Sequence, residues 1–287
     1  THTTSNHQHH TIVHYNALTP TDTTITATAA TAATATTSTT TRTTATQPQP
    51  DPVFFFAGGP GQAASETWVM IRGTLSKIRE KRDIVMIDQR GTGQSNKLAC
   101  PIDKDMDLNT ELDLGYVAEQ TIICRDQLQA DLRFYTTDIA MSDFNQVRVA
   151  MGYEKINIMG VSYGTRAAQV YLRKYPETVR SAVFDSVVPM QLALGQDHAP
   201  MLDAALAKVF DDCYNNEECN YSFGDSLNQL NALAADLRSE ARWVTIPDPI
   251  TGKDRDIRMS ADTLAVAIRF LTYASETQAT LPILIDE

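Results

Sequence analysis

Ile156-Asn157-Ile158-Met159-Gly160-Val161-Ser162-Tyr163-Gly164 is the stretch whose reading decides the fold. Its apolar run, Ile156 to Met159, predicts a buried strand, and Gly164 to Tyr175 predicts a helix that Pro176 ends. Between them lies a G-x-S-x-G. A sharp strand-to-helix turn crowds its flanks, so glycine two before and two after the serine lets the backbone pass while Oγ is presented at the carboxyl edge of a sheet. The helix beneath supplies free backbone N–H groups and the positive end of its dipole. A bare G-x-S-x-G matches often by chance. In a strand–turn–helix context it reads as a nucleophile elbow, with a tight structural turn as the other reading.

Outward from this stretch the same alternation continues. Val53-Phe54-Phe55-Phe56 predicts a buried strand stopped by Ala57-Gly58-Gly59-Pro60-Gly61. Ser65 to Lys81 carries Trp68, Ile71, Leu75 and Ile78 at helical spacing, and Ile84-Val85-Met86-Ile87 predicts a second strand that runs into another glycine loop. Helical patterns follow near 117–132 and 138–151, and Ser181 to Val188 predicts a fourth strand. Short apolar strands alternating with helices predict an α/β fold, a doubly wound and mostly parallel sheet with helices on both faces. Beyond Pro189 the pattern turns helical, at 202–213, 227–237 and 264–273, with a hairpin at 243–246 and 256–259. The expected organisation is a low-complexity segment over 1–50, an α/β core over 51–189, and an incomplete helical cap over 190–287.

The chain has 287 residues, 43% hydrophobic and 21% charged, which is ordinary globular usage. With 24 Lys+Arg against 35 Asp+Glu the formal net charge is -11, the wrong sign for gripping phosphate backbones, so nucleic acid is not an expected partner. No apolar run of about 18 residues predicts a membrane span. Residues 21–46 hold 15 Thr and 7 Ala. Thr24 to Thr28 alternates and leaves an edge hairpin open, but the shortage of apolar residues makes an irregular or poorly ordered segment the expectation. His2, His7, His9, His10 and His14 lack Cys or carboxylate partners and read as solvated, so no metal is expected.

A tetrahedral intermediate at Ser162 develops an oxyanion that needs two preorganised donors. The N–H of Tyr163 and one from the Ala57 to Gly61 loop are the natural pair. The glycine spacing does not match G-x-G-x-x-G and no Gly-Lys-Ser/Thr follows, so a nucleotide-phosphate loop, and with it a cofactor, is not expected. Four stretches, Phe54 to Gly61, Asp88-Gln89-Arg90-Gly91-Thr92-Gly93-Gln94-Ser95, Gly160 to Gly164 and Tyr175 to Pro189, together resemble the α/β-hydrolases of the proline iminopeptidase and tripeptidyl aminopeptidase group. Asp131 to Thr137 recurs ahead of the elbow in the same order, and the resemblance spans about 53–285. It implies Ser162 as nucleophile and Gly59 and Tyr163 as oxyanion donors. Ala57 departs from the histidine that iminopeptidases commonly carry there. The resemblance gives Asp88 and Arg90 a loop-pinning role, and Asp185 a structural one.

A serine needs a base, usually a histidine oriented by an acid, and in this fold the order is Ser, acid, His. Only His198 follows Ser162, in a stretch that relatives share without using it as the base. The expectation is that the chain ends inside the cap, with acid and histidine on sequence beyond Glu287, and that this chain alone is inactive or crippled. Cys100 with Cys124, and Cys213 with Cys219, read as two local disulfides of a secreted or periplasmic protein, with free thiols in a cytoplasmic enzyme as the alternative. The leading function is a serine aminopeptidase acting on peptides with a free N-terminus. The alternatives are a carboxylesterase or a catalytically inactive, hydrolase-like binding protein. Asp203, Asp211, Asp212, Glu217 and Glu218 are available to hold a substrate ammonium, but charges on solvated helix faces are common and none is assigned.

Overall fold

A computed structural model describes residues 11–16, 24–31, 34–41, 47–101, 108–193, 195–248 and 251–286. In chain order the strands are β1 (Thr11–Asn16), β2 (Thr24–Thr31), β3 (Thr34–Thr41), β4 (Val53–Phe56), β5 (Ile84–Ile87), β6 (Ile156–Val161), β7 (Val179–Asp185), β8 (Arg242–Pro247) and β9 (Asp254–Met259). The helices are α1 (Ala64–Ile71), α2 (Ser76–Arg79), α3 (Leu108–Leu112), α4 (Leu114–Gln127), α5 (Thr137–Ala150), α6 (Tyr163–Lys174), α7 (His198–Tyr214), α8 (Glu217–Phe223), α9 (Ser226–Ser239), α10 (Ala261–Leu271), α11 (Ser275–Gln278) and α12 (Leu281–Asp286). They divide into two compact units, one of residues 1–99 and 128–192, the other of 100–127 and 193–287. Residues 100–127, read from sequence within the core segment, thus fall in the second unit.

The first unit is built on a seven-stranded sheet in the order β1-β2-β3-β5-β4-β6-β7. β5, β4, β6 and β7 are mutually parallel. All four residues of β4 are buried, because the two faces of the sheet are both covered. Phe54 and Phe56 join Val85, Ile87, Ile156 and Ile158 in a core shared with α5 and α6, while Phe55 joins Ile84 and Met86 in a core shared with α1 and Leu75. The two-residue period of the strand sends alternate side chains to opposite layers, which is why an unbroken apolar run codes a central strand.

The N-terminal reading is corrected. β1, β2 and β3 form an antiparallel extension, with β3 pairing β5 from Ser38 opposite Ile87 to Thr41 opposite Ile84. Pairing along the edge of a buried strand gives the backbone of a Thr/Ala tract its hydrogen bonds without demanding apolar side chains, and β-branched threonine suits the pleat. His2, His7, His9 and His10 lie outside the described residues. Two smaller corrections follow. The helix expected over 65–81 breaks into α1 and α2 at a turn containing Gly73, the poorest helix former in that stretch. β7 starts two residues earlier than expected and stops at Asp185, because Ser186 takes a φ of 55°.

The second unit has its own apolar core, Leu206 and Phe210 of α7, Leu230 of α9, Ile268 of α10 and Leu281 of α12. β8 and β9 pair as the expected antiparallel hairpin. Both disulfides are formed here, Cys100–Cys124 with Cα atoms 5.6 Å apart and Cys213–Cys219 with Cα atoms 5.2 Å apart. No helix among the described residues is long and apolar enough to cross a membrane.

Candidate active site

β4 lies between β5 and β6, so the chain leaving β4 crosses to one side of the sheet and the chain leaving β6 crosses to the other. Such a reversal opens a crevice at the carboxyl ends of the two strands, where open α/β sheets place their ligands. Phe56 pairs with Gly160, which sets the glycine loop after β4 beside the serine after β6.

Ser162 is the residue between β6 and α6, half-buried, with φ 55° and ψ -124°. That backbone is costly for a residue with a Cβ and persists only where the surroundings enforce it. They do so here through neighbours on both sides. Ser162 N–H donates to the Asp185 carbonyl at the end of β7 at 2.9 Å, and the Ser162 carbonyl accepts from Thr165 N at 2.9 Å and Thr165 Oγ1 at 2.7 Å. Thr165 Oγ1 in turn accepts from Val188 N at 2.8 Å. Farther along α6, Arg166 donates to the Met190 carbonyl at 2.7 Å and Gln169 to the Val188 carbonyl at 3.0 Å, clasping the chain that leaves β7.

The flanking glycines are demanded by contact. A Cβ on Gly160 would lie 2.5 Å from the Gly164 carbonyl oxygen, and one on Gly164 would lie 2.0 Å from the Phe56 carbonyl oxygen. α6 therefore packs on β4 closely enough that only a hydrogen fits. From the opposite side Gly58 closes on the serine, since a Cβ there would stand 3.4 Å from Ser162 Cβ. Gly59, the expected donor, follows it with φ 108° on the exposed part of the loop. Tyr163 is the first residue of α6, so helix geometry leaves its N–H without an intrahelical acceptor. Gly58 was missed in the sequence reading, where it was only one of three loop glycines.

The Asp88 to Ser95 stretch holds three neighbouring elements in place. Asp88, almost wholly buried, accepts from Ser65 N at 2.9 Å and Ser65 Oγ at 2.8 Å in α1, and from Gln94 N at 3.0 Å. Arg90 makes a buried bidentate pair with Asp143 of α5, 2.7 Å from Nε and 2.6 Å from Nη2, and donates to the Phe134 carbonyl at 2.8 Å. The pinning role expected of Arg90 thus runs through Asp143, whose only sequence signal was a carboxylate on the apolar face of a helix. Gln89, between the two, points to Tyr163.

The other titratable groups fall elsewhere. Asp185 is exposed and its carboxylate accepts from Ser186 Oγ at 3.2 Å. His198 is the first residue of α7 in the second unit, and Asp203, Asp211, Asp212, Glu217 and Glu218 are exposed residues of the same unit. Among the described residues no cluster of His, Cys, Asp and Glu could hold a metal ion.

At the opposite edge of the sheet, Asp51 accepts from Asn157 Nδ2 at 2.8 Å, Arg82 Nε at 3.1 Å and Arg180 Nε at 2.5 Å. Burial pushes its carboxyl upward, but the hydrogen bonds from Asn157, Arg82 and Arg180 outweigh that and hold it below the ordinary carboxylate value.

The sequence profile of the alpha/beta hydrolase fold matches residues 51–263. Serine protease Hip1 of Mycobacterium tuberculosis is 27% identical over 243 residues, which are 78% of this chain and 44% of that protein. Tripeptidyl aminopeptidase of Streptomyces lividans is 30% identical over 118 residues, 37% of this chain and 22% of that protein. The solved proline iminopeptidase of Mycobacterium smegmatis aligns at 16% identity with a TM-score of 0.42, covering 89% of this chain and 69% of that one. The chain spans less than half the length of the curated relatives it matches.

Proposed function

Because the chain belongs to the alpha/beta hydrolase fold family, we propose that it serves a serine peptidase that releases residues from free peptide N-termini through an acyl-enzyme on Ser162. The observation that carries this reading is the strained Ser162 backbone, enforced at the carboxyl edge of the sheet with a glycine loop closed against it. Similarity to Hip1 and to tripeptidyl aminopeptidase supports peptides as the substrate class. The two disulfides support a secreted or periplasmic setting.

Ser162 Oγ would bond to the scissile carbonyl carbon while its proton passes to a base. The carbonyl π electrons would move onto oxygen, held there by the N–H groups of Gly59 and Tyr163. Collapse of that intermediate breaks the C–N bond, the leaving amine takes the proton, and water then hydrolyses the ester to free Ser162. His14 cannot be the base. It lies on β1, five strands from β6 in the sheet, about 24 Å at the usual spacing of roughly 4.8 Å between neighbours. A histidine base would therefore come from outside the described part of the first unit.

The test is active-site labelling of the protein purified from its source with a fluorophosphonate, followed by turnover of peptide anilides. Labelling that disappears in Ser162→Ala, with cleavage that depends on a free α-amine, is the expected result. Faster cleavage of short acyl esters regardless of an amine would instead make it a carboxylesterase. Absence of labelling would make it a hydrolase-like binding protein.

A further inference from the structure

Tyr163 contributes its backbone to the elbow, and its side chain is buried with Phe56, Phe144 and Ala167, leaving the residue 8% exposed. At the far end its hydroxyl shares a 2.7 Å hydrogen bond with Thr137 Oγ1, and Gln89 Nε2 reaches the same oxygen at 3.5 Å. These partners come from different elements. Thr137 is the first residue of α5, capped by Thr136, and Gln89 lies in the loop after β5 between Asp88 and Arg90, both fixed by the bonds already described. A tyrosine has two side-chain torsions, so a hydroxyl held at one end and a helix start held at the other leave the residue little freedom.

We propose that Gln89 and Thr137 act through the Tyr163 hydroxyl as positioning residues, aiming the Tyr163 N–H at the oxyanion. The inference rests on the serine-hydrolase reading above. Two observations favour a role beyond filling the core. A phenylalanine would occupy the same volume, so the hydroxyl is not needed for packing, and Thr137 is half-buried, so its own hydroxyl has water as an alternative partner. Moreover, Ser162 holds a strained backbone, and a donor one residue away rotates with any relaxation of that turn. Loss of an oxyanion donor outright costs about 100- to 1000-fold in kcat. A donor present but poorly aimed forfeits part of that, and substrate binding before the oxyanion forms is unaffected.

The experiment compares Tyr163→Phe, Thr137→Val and the double variant with the unaltered protein, measuring kcat, KM and the rate of fluorophosphonate labelling. We expect Tyr163→Phe to lose roughly tenfold in kcat and Thr137→Val as much or somewhat less, with KM within about twofold, and the double variant to lose no more than Tyr163→Phe, which already removes the oxygen that Thr137 and Gln89 both reach. Unchanged kcat in both singles, or losses that multiply in the double variant, would overturn the positioning role. If Tyr163→Phe fails to fold, Thr137→Val carries the same test without altering the elbow. Failure of the unaltered protein to label would overturn the serine-hydrolase reading and this inference together, whereas labelling with normal kinetics in the variants would overturn this inference alone.

Discussion

The two edges of the parallel sheet differ in what their side chains hold. At the amino edge side chains do the fastening. Asp51 is shared by Asn157, Arg82 and Arg180, Asn157 also donates to the Asp51 carbonyl at 3.0 Å and accepts from Ser181 Oγ at 2.6 Å, and Asp83 accepts from Tyr153 at 3.2 Å. At the carboxyl edge side chains fasten strained loops, Asp88 holding Ser65 and Arg90 holding Asp143. The three non-glycine residues with left-handed φ among the described residues all lie there, Asn96 after β5, Ser162 after β6 and Ser186 after β7. Glycines 58, 160 and 164 keep that edge tightly packed around one serine. The contrast teaches that side chains fasten both ends of the strands, while among the described residues the strained non-glycine backbone lies at the carboxyl end, beside the serine.

Substitutions at the two edges should therefore differ in whether rate changes along with stability. Ser162→Ala is the largest expected effect, a loss of about 10,000-fold or more in turnover with a melting temperature unchanged or raised, read by peptide-anilide kinetics and calorimetry. A melting temperature that fell sharply would place Ser162 among the fastening residues and break the comparison. Next, Gly164→Ala forces a methyl to within 2.0 Å of the Phe56 carbonyl oxygen. It should cost about 3 kcal/mol or more of stability and abolish labelling of Ser162, checked by urea titration and the fluorophosphonate. Asp143→Asn breaks a pair whose side chains are 5% and 4% exposed and should cost about 3 kcal/mol, while Asp51→Asn, at the amino edge, should cost about 1–2 kcal/mol and leave kcat untouched.

The smallest effect is one of pH. Asp51 ionises below its ordinary value when folded, so its stabilisation is fully present above about pH 3.9, the unfolded value, and is lost as pH falls through the folded one. In urea titrations at a series of acid pH values followed by circular dichroism, the stability gap between the unaltered protein and Asp51→Asn should therefore shrink as pH falls below about 3.9. A gap that stays constant would remove Asp51 from the clasp.

Much of the core was legible because its signals are local. Phe54 to Phe56, Ile84 to Ile87 and Ile156 to Met159 announce buried strands by composition alone, and the glycines around Ser162 announce a turn that tolerates no Cβ. The N-terminal strands were misread as irregular because their stability comes from pairing, not from their side chains; the threonines of β3 are paired to β5, some 45 residues later in the chain. Gly58, Gln89, Thr137 and Asp143 were missed for a related reason. Each is an ordinary residue whose role is set by a partner at least 26 residues away, as Thr137 is by Tyr163 and Asp143, at a separation of 53, by Arg90.

The amino-acid sequence by itself determined the α/β alternation, the position of the elbow serine and the pairing of four cysteines, since each depends on periodicity or on residues close in the chain. Tertiary structure alone decided which glycine closes on Ser162, which carboxylate holds Arg90, and that the Thr/Ala tract extends the sheet. Those outcomes depend on which strand edges and loop ends come together once the sheet has formed, and hydrogen bonds between distant groups leave no period in the sequence to read.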